Sequence, residues 1–373
     1  MSSLISDTIT NFNSYFNKKE FDFQNNSFDF IRLILALVVV VFHASYQSGA
    51  YLYGSDYHNK MPYYFQVNDW DNNYSHLGGL AVYGFFVLSG FLITRSALRT
   101  KDLITFFKNR IVRIYPGFLV SLLVTCFIIV PICAFLKDFN NINLPTLTNQ
   151  TLSFFFRNLF IDTPVTKINE IIDWDFNGSL WTLLQEFRAY IIIGGLASLG
   201  LLKNRRLVLV ITILLNLIYL IGTQNIIIRT ELDAIFTNFR FFVLFNYFFV
   251  GASFYLYLDK IKWNITWCVV SILGIFLAFY MNLTGLFLPI SSGYFILYLS
   301  QVLPIQNLTK HFGDMSYGVY IYGTPIQIAM FLAGVGKLGI INFTLISMIL
   351  SLFAGYLSYH LVEKPLLSHR NKT

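Results

Sequence analysis

The stretch at residues 28–48, FDFIRLILALVVVVFHASYQS, decides the fold, because it is nearly all apolar and has the length of a membrane-crossing helix. It nevertheless contains Arg32 near its start and His43 well inside it. Eleven helical residues rise about 16 Å and turn to within about 20° of three full turns, so both side chains are expected on one face. Ionisable groups in such helices are costly and usually face a bundle interior or a wet cavity. This pair is therefore the first candidate functional site.

The whole chain has the composition of a polytopic membrane protein. Its 373 residues are 55% hydrophobic and 12% charged, with a mean hydropathy of +0.59, whereas soluble domains are about 25% charged. Cys126, Cys133 and Cys268 lie in apolar runs, so we expect buried thiols rather than a disulfide framework. Residues 1–27 lack the apolar core of a cleavable signal peptide. We expect an all-α membrane protein whose first helix is an uncleaved anchor.

Ten apolar runs predict about ten transmembrane helices. The eighth run contains Pro289 and is expected to be kinked or broken. The runs lie at approximately 29–48, 78–97, 114–136, 180–201, 207–222, 239–258, 265–281, 284–301, 315–334 and 341–361.

The basic residues predict the orientation in the membrane. With the N-terminus inside, eighteen Lys and Arg fall in inner segments and six in outer ones, as the positive-inside rule describes. Both termini are therefore expected to be cytoplasmic, with a cytoplasmic segment at 1–27, a membrane domain at 28–365 and a cytoplasmic tail at 366–373. The net charge of +7 is first a sign of this topology. The long outer loops, 49–77 and 137–179, are polar and aromatic, which suits a carbohydrate surface or any solvated loop.

Each charge in the first helix also has a structural interpretation. Arg32 alone could be an anchor that reaches the inner headgroups. His43 alone could form a hydrogen bond between two helices. Their shared face and the depth of His43 favour function, because a neutral imidazole can take a proton from a hydroxyl near neutral pH.

A basic segment follows the second span. RSALRTKDLITFFKNRIVRIYP, residues 95–116, contains six basic residues and one acid. Topology accounts for most of these, but Arg110 and Arg113 lie three apart on one helical face directly before the third span. Such a pair can clamp phosphate oxygens, so a cytoplasmic donor with phosphate groups is the expected partner.

A carboxylate is expected near the depth of His43. Glu186 lies in NGSLWTLLQEF, residues 177–187, about two turns below the start of its span. It could orient the imidazole or stabilise its charged form. Alternatively, Glu186 pairs with Arg188 or Arg240.

Small and interfacial residues supply candidate supports. Ser89 and Gly90 in VYGFFVLSGFLI allow close helix packing. Ser89 has no partnered base in the sequence pattern, so we do not interpret it as a nucleophile. Trp181 is expected at the membrane interface.

Two further motifs lie near the end of the chain. Tyr317 belongs to SYGVYIYGTPIQ, and Glu363 to HLVEKP at the cytoplasmic end of the last span. Glu363 is level with Arg32, so the two could form an ion pair, or Glu363 could simply cap its helix. No metal-binding, P-loop or dinucleotide motif occurs, so neither a metal ion nor nucleic acid is expected.

Six motifs in this order resemble the acyltransferase-3 family of integral-membrane acyltransferases that modify carbohydrates. The resemblance runs from the first predicted span to the last. The motifs are Arg32-x10-His43, FFVLSGFLI, Arg110-x-x-Arg113 followed by IYP, SLWTLLQE, SYGVYIY and Glu363-x-Pro365.

The resemblance implies about ten helices and acyl transfer from a cytoplasmic acyl-CoA, usually acetyl-CoA. The implied acceptor is a sugar hydroxyl of surface polysaccharide, lipopolysaccharide or a related glycoside, and the implied location is the bacterial inner membrane. It also implies that His43 and Arg32 are essential. Members often have a histidine where this chain has Gly323, so a role for that histidine does not transfer.

The residues and the resemblance together give a hypothesis for the reaction. Arg32, Arg110 and Arg113 would hold the phosphates of coenzyme A, and the pantetheine arm would run along the face towards His43. The imidazole would act as general base or carry the acyl group briefly, with Glu186 as its orienting partner. The alternative is a transporter or flippase for a polysaccharide precursor, although the sequence has no internal repeat.

Overall fold

The fold is all-helical, as the sequence predicts. A computed structural model describes residues 21–56, 60, 76–100, 102–138, 144–159, 176, 178, 180–236, 239–305 and 312–370. The described residues are 87% helical and contain no strand.

The helices coincide with the ten apolar runs, and shorter helices connect some of them. Fourteen α-helices are present among the described residues: α1 Phe28–Tyr53, α2 Leu77–Arg99, α3 Leu103–Val124, α4 Val130–Asp138, α5 Leu144–Asn158, α6 Trp181–Ser198, α7 Arg205–Gln224, α8 Ile226–Phe236, α9 Arg240–Leu256, α10 Ile265–Tyr280, α11 Thr284–Val302, α12 Ser316–Leu332, α13 Gly339–Ser358 and α14 Lys364–Arg370. Two π-helical turns, Thr125–Ile129 and Tyr359–Glu363, join α3 to α4 and α13 to α14.

Several helices meet the requirements of a membrane span. Among the described residues, six segments are long and apolar enough to cross a bilayer, while α9 and α10 are apolar but shorter. The protein is therefore a multi-pass membrane protein, and the count of ten spans and the cytoplasmic termini stay predictions. The six segments are Phe28–Tyr53, Leu77–Arg99, Leu103–Lys137, Arg205–Gln224, Thr284–Val302 and Val335–Ser368.

The expected break in the eighth span is absent. Helix α11 continues through Pro289 from Thr284 to Val302. A proline removes one intrahelical hydrogen bond, and packing in membrane helices readily compensates for that loss.

The chain forms two compact units. The first contains the described parts of Met1–Ile31, Tyr83–Phe106 and Ala189–His311. The second contains those of Arg32–Val82, Phe107–Arg188 and Phe312–Thr373. Predicted site residues Ser89 and Gly90 belong to the first unit, whereas the other predicted site residues belong to the second.

Glycine contacts bring α2 and α9 together in the first unit. A side-chain carbon on Gly90 would overlap the backbone carbonyl of Phe248, and one on Gly251 would overlap the carbonyl of Val87. The two helices therefore approach at backbone distance. Small residues at this position serve packing, as the sequence suggested.

Gly90→Ala is expected to destabilise the protein by about 1–3 kcal/mol, because its methyl group would force two backbones apart. The measurement is thermal unfolding of the detergent-solubilised protein. Gly195→Ala is the matched control, because a side-chain carbon on this helical glycine meets no atom within 4 Å. The control should be neutral or stabilising by up to about 1 kcal/mol. Equal unfolding temperatures for both variants would contradict the close approach.

The second unit has a buried polar contact beneath His43. The Gln327 side chain on α12 is fully buried and donates to the backbone carbonyl of Val40 at 2.8 Å and to the hydroxyl of Ser347 at 2.7 Å. Val40 lies on α1, three residues before His43. This contact joins α1, α12 and α13 about one turn from the imidazole.

Candidate active site

An ionic cluster lies at the N-terminal end of α1 in the second unit. Arg32 Nη1 is 2.6 Å from Oδ2 of Asp314, and Arg113 Nη2 is 2.5 Å from the same oxygen. The other carboxylate oxygen, Oδ1, accepts a hydrogen bond of 2.5 Å from the Ser316 hydroxyl. Two arginines that the sequence assigned to one function therefore share one carboxylate.

Backbone geometry fixes the position of Asp314. The preceding residue, Gly313, has φ +81°, and a side-chain carbon there would overlap the ring of Tyr359. Only glycine readily satisfies both conditions. Asp314 then lies two residues before the start of α12 at Ser316, where the helix dipole favours a negative charge.

The charges around Asp314 keep it ionised. Burial raises the pKa of this carboxyl, but the guanidinium groups of Arg32 and Arg113, together with the Ser316 hydroxyl, outweigh burial and hold the pKa well below its ordinary value of 3.8. The contribution of this group to stability is thus fully present above about pH 4 and is lost only as the pH falls further.

Glu363 does not form the ion pair with Arg32 that the sequence allowed. It lies in the π-helical turn, is 5% exposed, and accepts a hydrogen bond of 3.0 Å from Ser358. Asp314 supplies the carboxylate for Arg32 instead. Glu363 still lies within electrostatic range of Asp314 and Arg113, so it contributes to the potential of the cluster.

Tyr317 packs beside the ionic cluster. Its hydroxyl donates to the backbone carbonyl of Ile114 at 2.9 Å, directly after Arg113 in the chain. A side-chain carbon on Gly117 would press on the Tyr317 ring and lie 3.6 Å from Glu363. The predicted supports Tyr317 and Glu363 therefore share one packed region with α3.

His43 lies on the same uninterrupted helix as Arg32, eleven residues further along. The imidazole is partly buried, and its ring lies 5.5 Å from that of Phe42 in an edge-on arrangement. Within the described part of the chain, neither ring nitrogen has a hydrogen-bond partner. Both nitrogens are thus available to a ligand.

A second histidine contacts the neighbour of His43 in the chain. The His76 ring stacks on that of Phe42 at 4.6 Å, and its Nδ1 accepts a hydrogen bond of 2.9 Å from the backbone of Gly79. Phe42 therefore contacts the rings of both histidines.

Among the described residues no hydrogen bond joins Glu186 to His43, so its action on the imidazole, one of the two alternatives from the sequence, stays a prediction. Glu186 is partly buried on α6 and interacts electrostatically with Tyr320. Arg188, one alternative partner, donates instead to Gln185 at 3.3 Å.

The start of α6 is attached to α12. The helix begins at Trp181, and the neighbouring Thr182 hydroxyl forms a hydrogen bond of 2.7 Å with the Tyr320 hydroxyl. Residues 177 and 179, at the start of the motif NGSLWTLLQEF, lie outside the described residues, as do most residues of the two long outer loops.

Asp314 was not among the predicted site residues. One signal was available, because it is the only acidic residue between Asp259 and Glu363. The partly buried Arg110 lies about one turn before Arg113 on α3, as predicted. No group of three or more His, Cys, Asp or Glu suited to a metal ion occurs where the structure describes the chain.

Arg32→Gln and Arg113→Gln are expected to be non-additive in their effect on thermal unfolding. With either arginine present, Asp314 keeps one cationic partner, whereas the double variant leaves a buried carboxylate without one. The double variant should lose about 1–3 kcal/mol more than the sum of the single losses. Arg205→Gln is the control, because its ion pair with Asp259 is exposed and should contribute less than about 1 kcal/mol. Strictly additive losses would show that the guanidiniums do not depend on one carboxylate.

The sequence is similar to known proteins over nearly its whole length. A family described as an acyltransferase domain, acyltransferase-3, matches residues 25–360. An O-acetyl transferase of Shigella phage Sf6 is 30% identical over 357 residues, which cover 92% of this chain and 97% of that protein. No solved structure matches the chain. The family match includes Arg32, His43 and Asp314.

Proposed function

Because the chain belongs to the acyltransferase-3 family and is an O-acetyltransferase, we propose that it moves an acetyl group from cytoplasmic acetyl-CoA to a hydroxyl of a surface polysaccharide, lipopolysaccharide or related glycoside. The name of the similar phage protein supports the acetyl group and the oxygen acceptor. The proposed location is the bacterial inner membrane.

The observation that carries this proposal is the arrangement along α1. The guanidinium groups of Arg32 and Arg113 meet at one end of the helix. His43, whose ring nitrogens form no hydrogen bond to the described residues, lies eleven residues from Arg32 on the same face. Paired arginines suit phosphate oxygens, and an imidazole suits proton transfer. A donor with phosphates at one end and a thioester at the other would match both.

The arginines would bind the donor, and His43 would carry out the chemistry. Arg32 and Arg113 would bind the phosphate groups of the donor, and Arg110 would extend this surface along α3. The pantetheine arm would then follow α1 over about 16 Å and present the thioester to His43.

His43 would act on the acceptor hydroxyl as a general base. The imidazole takes the hydroxyl proton while the acceptor oxygen attacks the thioester carbonyl, the carbon–sulfur bond breaks, and the proton passes to the leaving thiolate. In the alternative route, the imidazole attacks the thioester and expels the coenzyme A thiolate, and the acceptor oxygen then takes the acetyl group from the imidazole while its proton passes to the thiolate or to solvent. Glu186 would stabilise the charged imidazole from α6 through space or through a water molecule.

The test is acetylation of the native surface glycan in cells that carry His43→Ala. A positioned general base is worth about 10²–10⁴ in rate, so acetyl groups on the glycan should fall by at least 100-fold, as measured by mass spectrometry. His360→Gln is the matched histidine control, because its ring contacts the carbonyl of Phe312 at 3.1 Å and a glutamine can keep this hydrogen bond. This control should retain normal acetylation.

Two outcomes would contradict the proposal. Intact acetylation in the His43→Ala cells would show that the reaction does not need His43. Loss of the exported glycan itself, rather than of its acetyl groups, would favour a transporter or flippase.

A further inference from the structure

We propose that Asp314 is a positioning residue that sets Arg32 and Arg113 in place for a phosphate group before the donor binds. This inference rests on the proposed function. It adds a residue that neither the motif pattern nor the family resemblance singled out. Its ligand class is an organic phosphate, and its action is indirect, through the two guanidiniums.

The carboxylate is the fixed member of the cluster. Asp314 is 9% exposed, follows a glycine whose positive φ fixes the local backbone, and has its Oδ1 held by Ser316. A short side chain on a constrained backbone has little freedom, whereas each arginine has a long flexible chain. The arginines therefore take their positions from Asp314.

Both guanidiniums remain accessible to an anion. The Arg32 and Arg113 side chains are 20% and 37% exposed, and each ion pair with Asp314 is made through one terminal nitrogen. Asp314 carries one negative charge against the two positive charges of the guanidiniums, and Glu363 adds to the potential around Arg113. The exposed parts of the two guanidiniums can therefore attract a phosphate.

Without the carboxylate, the two like charges would repel each other and the side chains would separate. A phosphate would then have to order both arginines on binding, and this ordering weakens affinity. The loss should appear only for ligands that carry phosphate groups. The affinity of a ligand without phosphate should not depend on the positions of the guanidiniums.

The experiment compares the affinity of the purified full-length protein for coenzyme A and for pantetheine, which lacks the phosphate groups. Isothermal titration of Asp314→Asn should show about a tenfold rise in Kd for coenzyme A and less than a twofold change for pantetheine. Asp314→Glu keeps the charge and should show a smaller rise than Asp314→Asn. Asp259→Asn is the matched control, because it breaks an exposed aspartate–arginine pair in the first unit and should change neither Kd.

Three results would overturn the role of Asp314. Tighter binding of coenzyme A by Asp314→Asn would show that the carboxylate competes with the phosphate. Equal weakening of both ligands would show a purely structural role. An unchanged Kd for coenzyme A, in a protein that prefers coenzyme A to pantetheine, would show that the arginines need no positioning.

The same titration separates this inference from the proposed function. If the wild-type protein bound coenzyme A no more tightly than pantetheine, the arginines would not hold phosphate groups, and both proposals would fail. Should Asp314→Asn not fold, the comparison of Asp314→Glu with the wild type still decides. If Asp314→Glu bound coenzyme A as tightly as the wild type, the negative charge alone would suffice, and the positioning role would be overturned. A rise for coenzyme A but not for pantetheine in that variant supports positioning.

Discussion

The site depends on one constraint, the need to keep two positive charges together within a largely apolar bundle. Guanidinium groups cannot lose their protons, so they need a counter-charge at close range. Asp314 meets this need for Arg32 and Arg113 at 2.6 and 2.5 Å. Three helical segments that are distant in sequence therefore meet at one carboxylate.

The rest of the second unit is consistent with this arrangement. Gln327 holds α1 one turn before His43, and the Thr182–Tyr320 hydrogen bond holds the start of α6 against α12. Buried hydrogen bonds of this kind fix helix positions where apolar packing alone allows sliding. The first unit combines a buried hydrogen bond of this kind, from Asn246 to Asn216 at 2.9 Å, with the backbone contact of Gly90 with Phe248.

The sequence predicted what depends on local patterns. Apolar length placed the helices, and helical periodicity placed Arg32 and His43 on one face, because neither requires knowledge of distant contacts. The partner of Arg32 was not predictable in this way, since Asp314 lies 282 residues further along the chain. The π-helical turn around Glu363 also changes which residues share a face, and periodicity assumes a regular helix. For Pro289 the local penalty predicted a kink or a break, but α11 continues through this residue from Thr284 to Val302.

The sequence separation within the ionic cluster has a consequence for biosynthesis. Arg32 and Arg113 are synthesised 282 and 201 residues before Asp314. During that interval their segments enter the membrane without this counter-ion, and under the predicted topology the two positive charges help to set the orientation of the first spans. The same arginines would thus act first as topology signals. The ionic cluster, and with it the proposed binding surface, can form only after Asp314 has been synthesised, so its assembly depends on correct folding of the second unit.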